Sequence, residues 1–347
     1  MRSAPSQFAV ALHSASTGNA RFRLLLVGVM LCVFPGVTLS CNIPVFRYAL
    51  ERWTPDESEI IVFHDTELSS AHRSLLDLQS PAKTILIDVR DDELDPEYTA
   101  LWKQIPSDLT KQVPLLTVRT KIGKGRWINH TCRPLSADAV KQTLTSPART
   151  ELQDRLLAGH AIVWLLVQSG NQEKDQAARD LVRGRFTALA KNVSLPEGIG
   201  LPGSELFAEV PLLLRFSLLE IDPKNEQESF LVDLLTRFHS EAFDNGEPLL
   251  VPVFGRGRAL EVLPASRVSA RLIDDLTHFL SAACSCQVKD QNPGFDLLMP
   301  TDWDLELFGV EGDRPPDRSA LEGQNRPPVV LAVPPGRNRK PASSEGN

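Results

Sequence analysis

The chain has 347 residues, with 37 Lys+Arg against 44 Asp+Glu and 42% hydrophobic residues. That is the composition of a globular protein of one large or two ordinary domains. A formal net charge of -7 argues against a nucleic-acid partner, which needs a basic face, and five cysteines are too few for a disulfide-dense scaffold.

The N-terminal segment is an address. Residues 1–50 contain no Asp or Glu, and Arg2, Arg21 and Arg23 precede an apolar run over 24–34. Spanning a bilayer takes roughly 20 apolar residues, so the run is too short to cross one. A basic region, a short apolar core and then the small residues Gly36, Thr38 and Ser40 predict a secretory signal peptide over 1–40. Thr38-Leu39-Ser40-Cys41 is similar to a bacterial lipobox, with Thr38 where an aliphatic residue is usual. Cys41 is therefore a lipidation candidate. Ordinary cleavage nearby, leaving Cys41 as a thiol, is the alternative. The mature chain keeps Cys41, Cys132, Cys284 and Cys286. Export permits disulfides, and the spacing does not choose a pairing.

The elements follow in chain order. The runs at 59–64 (EIIVFH) and 83–90 (KTILIDVR) read as buried strands. Asp95-Pro96 opens a helix, with Asp as cap and Pro in the first turn. A strand is predicted at 113–119, a partner at 126–129 across a turn at 121–125, and a helix at 136–144. Ser146-Pro147 opens a helix to Leu157, followed by a strand at 161–168 (AIVWLLVQ) and a helix at 172–191. A strand at 210–221 and a helix at 226–239 come next. A hairpin joins 248–254 to 258–263 around Gly255 and Gly257. The last helix carries Leu272, Ile273, Leu276, Phe279 and Leu280 at helical spacing. From Glu311 onward the chain is rich in proline, with seven between Arg314 and Asn347, and predicts a disordered tail with one apolar patch at 329–333.

The two halves overlay. The Pro44 helix matches the Pro147 helix, and the strand at Ile60 matches that at Ile162. Pro114-Leu115-Leu116 matches Pro248-Leu249-Leu250, and Gly123-Lys124-Gly125-Arg126 matches Gly255-Arg256-Gly257-Arg258. An insertion around 194–203 accounts for the longer second copy. Each copy therefore holds a strand–helix–strand unit followed by a β-hairpin and a helix.

That arrangement resembles the thioredoxin fold, most closely in the stretch 247–260 (EPLLVPVFGRGRAL). The resemblance implies an α/β chain of two tandem thioredoxin-like domains, 41–145 and 146–310. It makes Pro114 and Pro248 candidates for a cis-proline opening a strand. The family's redox Cys-x-x-Cys is missing: its place reads His64-Asp65-Thr66-Glu67 in one copy and Ser169-Gly170-Asn171-Gln172 in the other. The chain also resembles a family of exported bacterial proteins whose mature region begins Cys-Asn-x-Pro-Val-Phe-Arg-Tyr-Ala-Leu-Glu-Arg-Trp, here 41–53. That likeness covers most of the mature chain and implies no activity.

Few constellations could carry chemistry. Cys284-Ser285-Cys286 reads as structural thiols, a strained redox pair or a metal clip. Its place at a helix end denies it the positive dipole that activates a thiolate. Cys41, at a helix start, is better placed for that. Cys132 is the remaining redox candidate. His64, with Asp91 and Asp92 at the next strand's end, is a candidate divalent-metal site, because ligands bind at the carboxyl ends of parallel strands. No nucleophile elbow, P-loop or complete Rossmann fingerprint is present, so no cofactor is expected. The sequence therefore points to an exported, non-catalytic binding or scaffold protein of the cell envelope. Its partners would be an envelope protein and, through a lipid anchor, the membrane. A thiol–disulfide redox protein and a metal-binding module are the alternatives.

Overall fold

Alternating short apolar strands and amphipathic helices build two mixed sheets in this computed structural model, which describes residues 42–77, 82–122, 126–284 and 289–309. The predicted signal peptide, Cys41, Gly123-Lys124-Gly125, Cys286 and the predicted tail lie outside the described residues. Among those described, no helix is long and apolar enough to cross a membrane.

The first sheet holds β1 (Ser58–His64), β2 (Lys83–Asp88), β3 (Leu115–Lys121), β4 (Trp127–Asn129) and the short β5 (Arg133–Pro134). Its order is β2-β1-β3-β4, with β5 pairing β3. β1 and β2 are parallel, and β3 runs antiparallel to β1, β4 and β5. The second sheet holds β6 (His160–Val167), β7 (Arg215–Ile221), β8 (Leu249–Phe254), β9 (Arg258–Ala259), β10 (Leu263–Pro264) and β11 (Phe295–Asp296). Its order is β11-β9-β8-β6-β7, with β10 pairing β8. Here β6 and β7 are parallel, and β8 is antiparallel to β6, β9 and β10.

The centres of the two sheets thus share one plan, and detail follows it. The Pro114 carbonyl accepts the N–H of Leu135 at 2.8 Å, and the Pro248 carbonyl accepts that of Ala265 at 2.9 Å. The two prolines differ in isomer. Val113–Pro114 is the one cis bond among the described residues, so the expectation of a second at Pro248 is corrected. Trans is the lower-energy form of an X–Pro bond. Glu247 leads into β8 in that form, its N–H on the Ala242 carbonyl and its carboxylate on the Ser266 N–H.

Helices start where side chains satisfy their first N–H groups. Asp95 caps α3 (Pro96–Gln104), Ser136 caps α4 (Ala137–Leu144) and Ser146 caps α5 (Pro147–Leu157). Only Thr145 and Ser146 separate α4 from α5, so no linker divides the halves. Asn171 caps the long α6 (Gln172–Asn192), and Ser269 caps α9 (Ala270–Ser281). The helix expected over 226–239 is a 3-10 turn at Glu226–Glu228, then α7 (Ser229–Thr236), then the short α8 (Ser240–Asp244). Short α2 (Ser70–Leu76) and α10 (Trp303–Phe308) have too few residues to show a periodicity.

The N-terminal helix α1 (Val45–Arg52) does not pack on the sheet that follows it in the chain. Its Phe46 and Ala49 share one apolar cluster with Trp164, Leu250, Phe254 and Leu280, all around the second sheet. The segment before α1 is held there too. Val45 N–H donates to the Ala282 carbonyl at 3.0 Å, and Cys284 N–H to the Ile43 carbonyl at 2.9 Å. Gly255 permits the contact, because with φ of +60° a Cβ there would fall 2.7 Å from the Cβ of Ala49. The expected division at 145/146 therefore leaves α1 with the later half. Burying each such large apolar side chain contributes about 1.5–3 kcal/mol.

Candidate functional site

The described thiols are Cys132 and Cys284. Cys132 is half-buried against the cluster of Ile61, Phe63 and Leu101. Burial pushes its thiol up to about 11, against the opposing Arg133 N–H and charge. Cys284 is 2% exposed, inside the apolar cluster under α1 and α9. The two cysteines sit in different clusters and are not joined to each other. A low-pKa thiolate needs a nearby cation or helix N-terminus with partial exposure, and at Cys132 burial outweighs the neighbouring Arg133 cation.

The strand-end histidine and acids do not converge. β1 and β2 are parallel, and His64 lies opposite Asp88. His64 Nδ1 is 3.0 Å from the Thr66 carbonyl. Asp88 is taken by Arg90, through Nε at 3.1 Å and Nη2 at 2.7 Å. Those bonds hold its carboxyl well below the usual range. Asp91 accepts the Glu93 N–H at 2.9 Å, and both Asp91 and Asp92 are exposed. Among the described residues no three His, Cys, Asp or Glu side chains are grouped to hold a metal, so the expected site at His64, Asp91 and Asp92 does not form. Asp88 and Asp91 instead serve the turn, accepting the N–H groups of Arg90 and Glu93.

The strand-to-helix turn after β6 is also self-satisfied. Asp175 of α6 accepts the Ser169 N–H at 2.8 Å, the Ser169 hydroxyl at 2.9 Å and the Gly170 N–H at 3.2 Å. Asn171 takes the Lys174 N–H. The helix N-terminus that could bind an anion or activate a thiol is thus closed by the chain's own carboxylate.

The most organised polar centre lies where the two halves meet. Thr120 Oγ1 of β3 is 3.0 Å from His130 Nε2, and His130 Nδ1 is 3.4 Å from Asp233 Oδ2 of α7. The second contact is too poorly aligned for a hydrogen bond, so it is electrostatic. Asp233 accepts the Thr131 N–H at 3.0 Å, the Thr131 hydroxyl at 2.9 Å and Arg237 Nε at 3.1 Å. The imidazole stacks on Phe230 at 4.3 Å, and the Arg149 guanidinium lies over the same ring at 4.9 Å.

A Thr–His–Asp order is that of a nucleophile relay. Thr120 is only 1% exposed, however, and the adjoining cavity of about 10 Å³ has room for about one water. The centre joins the halves rather than receiving a substrate. Sequence reasoning missed it, because His130 belongs to no apolar period and Asp233 is remote in sequence. The one legible signal is Phe230, Asp233 and Arg237 along one helix.

Burial pushes the His130 imidazole down, despite the Asp233 carboxylate. Burial acts to raise Asp233, but His130, the Thr131 N–H and Arg237 outweigh it and hold the carboxyl below its usual range. The signs place two pH windows. The unfolded chain binds a proton at histidine near pH ~6.5, before the folded one does, so stability falls as pH drops through that value. The Asp233 contribution is present above ~3.9 and is lost below it. The melting temperature is therefore expected to fall between pH 7 and 5. His130→Gln should make that fall shallower, the rest coming from His160, which burial also pushes down, and should leave the fall below pH 4 in place, by scanning calorimetry across pH.

No family model matches this chain, and no curated protein matches it.

Proposed function

We propose that this is an exported, non-catalytic binding or scaffold protein of the cell envelope, built from two tandem thioredoxin-like domains without a redox dithiol. The shared sheet plan supports the tandem reading: each sheet has a parallel pair, β1 with β2 or β6 with β7, and an antiparallel strand on the pair's inner member. The observation that carries the non-catalytic reading is the turn after β6. The place of a thioredoxin dithiol is filled there by Ser169, Gly170 and the Asp175 carboxylate. Its counterpart after β1 holds His64 on a backbone carbonyl. A fold of this kind hosts many roles, and the site chemistry separates them. Its partner would be an envelope protein, with a lipid on Cys41 as membrane anchor.

A thiol–disulfide role is the second reading, favoured by one observation. The Ile43–Cys284 and Val45–Ala282 hydrogen bonds hold the stretch following Cys41 beside the stretch preceding Cys286.

Intact mass of the protein from its native host, with and without reduction and alkylation, separates the two. The expected result is an acylated Cys41 at the mature N-terminus, with Cys132 unalkylated until the chain is denatured. Loss of two hydrogens on oxidation, reversed by reductant and located to Cys41, Cys284 or Cys286, would replace the scaffold reading with the redox one.

A further inference from the structure

The first sheet ends on an edge that the described residues leave uncovered. β2 is its terminal strand and pairs only with β1 among them. The register fixes which backbone groups point outward. Val89 N–H donates to the His64 carbonyl at 2.9 Å, so alternate residues Ile87 and Ile85 face β1. The backbone groups of Thr84 and Leu86 then face away. Leu86 is 52% exposed, although its partner in the register, Val62, is fully buried. A row of outward N–H and C=O groups beside an exposed leucine is a template for one more strand. The second sheet's terminal strand β7 differs: its Glu220 is clamped by Arg179 at 2.5 Å and Arg183 at 3.1 Å.

We propose that residues 329–333 of this same chain (VVLAV) add to the free edge of β2 as a further strand. The sequence supplies the complement. These five residues are uncharged and mostly β-branched or leucine, and β2 has six. Pro327-Pro328 and Pro334-Pro335 bracket them. Proline bars the helical region to the residue before it and cannot donate to a ladder, so the pairs set both ends of a short extended segment. The 19 residues between Gly309 and Val329 can span roughly 60 Å at about 3.3 Å each, so reach is no obstacle. Tethering supplies an effective concentration of about millimolar, which a five-residue strand needs. This goes beyond the scaffold reading: the edge would be a docking strip that the chain itself occupies until a competing extended peptide displaces the segment.

Amide hydrogen exchange on the full chain tests it, using Leu331→Pro as the comparison. With the segment docked, the N–H groups of Thr84 and Leu86 are protected. In the variant they should exchange at least about tenfold faster, while Ile87, bonded to β1, stays protected in both. Adding a synthetic peptide of residues 327–335 to the variant should restore protection. Equal exchange at Thr84 and Leu86 in both chains would overturn the proposal. So would protection that rises with protein concentration, which would assign the edge to a second copy of the chain.

Discussion

Glu51→Ala is expected to destabilise the protein by about 3–5 kcal/mol, the cost of breaking a buried ion pair from one side. The Glu51 side chain is fully buried and carries four bonds. Oε1 accepts Arg47 Nε at 2.8 Å and the N–H groups of Phe207 and Ala208, each at 3.2 Å. Oε2 accepts Arg52 Nη1 at 2.9 Å. Removing the carboxylate strands two guanidiniums, both under 10% exposed, and two backbone donors. Burial already pushes Arg47 down, with Glu51 opposing, so the substitution deletes the group that keeps that cation tolerable. The backbone carbonyls of Ala208 and Val210 remain as acceptors for Arg47, which keeps the loss below the full penalty for an isolated charge. Glu51→Gln retains an acceptor of the same shape and should lose roughly half as much. Urea titration reads both. A lowered midpoint with an unchanged slope assigns the loss to the folded state. A change under about 1 kcal/mol for Glu51→Ala would mean that water reaches the site and replaces the carboxylate.

This triad shows where sequence reading stops. The strands were legible because a central strand buried on both faces is a continuous apolar run, and β6 is fully buried from Ala161 to Val167. The paired prolines exposed the shared plan of the two sheets through spacing alone. The allegiance of α1 was not legible. Periodicity says that a helix has an apolar face but not which sheet receives it, and Phe46 and Ala49 chose β8 and α9 over the strand that follows them. Nor were the buried charges. Arg47, Glu51 and Arg149 look like solvated surface in a sequence, because their burial depends on backbone carbonyls and, for Glu51, backbone N–H groups supplied by segments more than a hundred residues away. The candidate metal site failed for a related reason. Strand order brought His64 beside Asp88, but Arg90 and the turn N–H groups claimed the carboxylates first. The Thr120–His130–Asp233 centre needs the packing of α7 on the first half, which no local pattern announces.

Arg149→Ala should be the most damaging change at the joint between the halves, about 3–5 kcal/mol, because each buried carbonyl left without its donor costs roughly 1–3 kcal/mol. The Arg149 side chain donates to the Gln142 and Thr143 carbonyls at 2.9 Å, to the Leu298 carbonyl at 2.8 Å and to the Ser146 hydroxyl at 3.2 Å. It thereby ties the end of α4, the cap of α5 and the chain between β11 and α10 to one point, over the Phe230 ring of α7. Burial pushes the guanidinium down to about 10, with the Glu228 carboxylate working the other way, so it remains charged at neutral pH. Truncation leaves three carbonyls without their donor and an opening beside Phe230. At about 2–4 °C per kcal/mol, the melting temperature should fall by roughly 10 °C. Arg149→Lys tests whether geometry or charge matters. An ammonium is a point charge on a flexible stem and cannot serve carbonyls on three segments at once, so lysine should recover less than half of the loss. Because both halves lean on this residue, the alanine variant should also unfold less cooperatively. Exchange at β1 and β3 should then outrun that at β6 and β8, whereas in the parent chain the two sheets are expected to open together. Coincident opening in the variant would show that the halves are held by their apolar contacts alone, with Arg149 adding stability but not coupling.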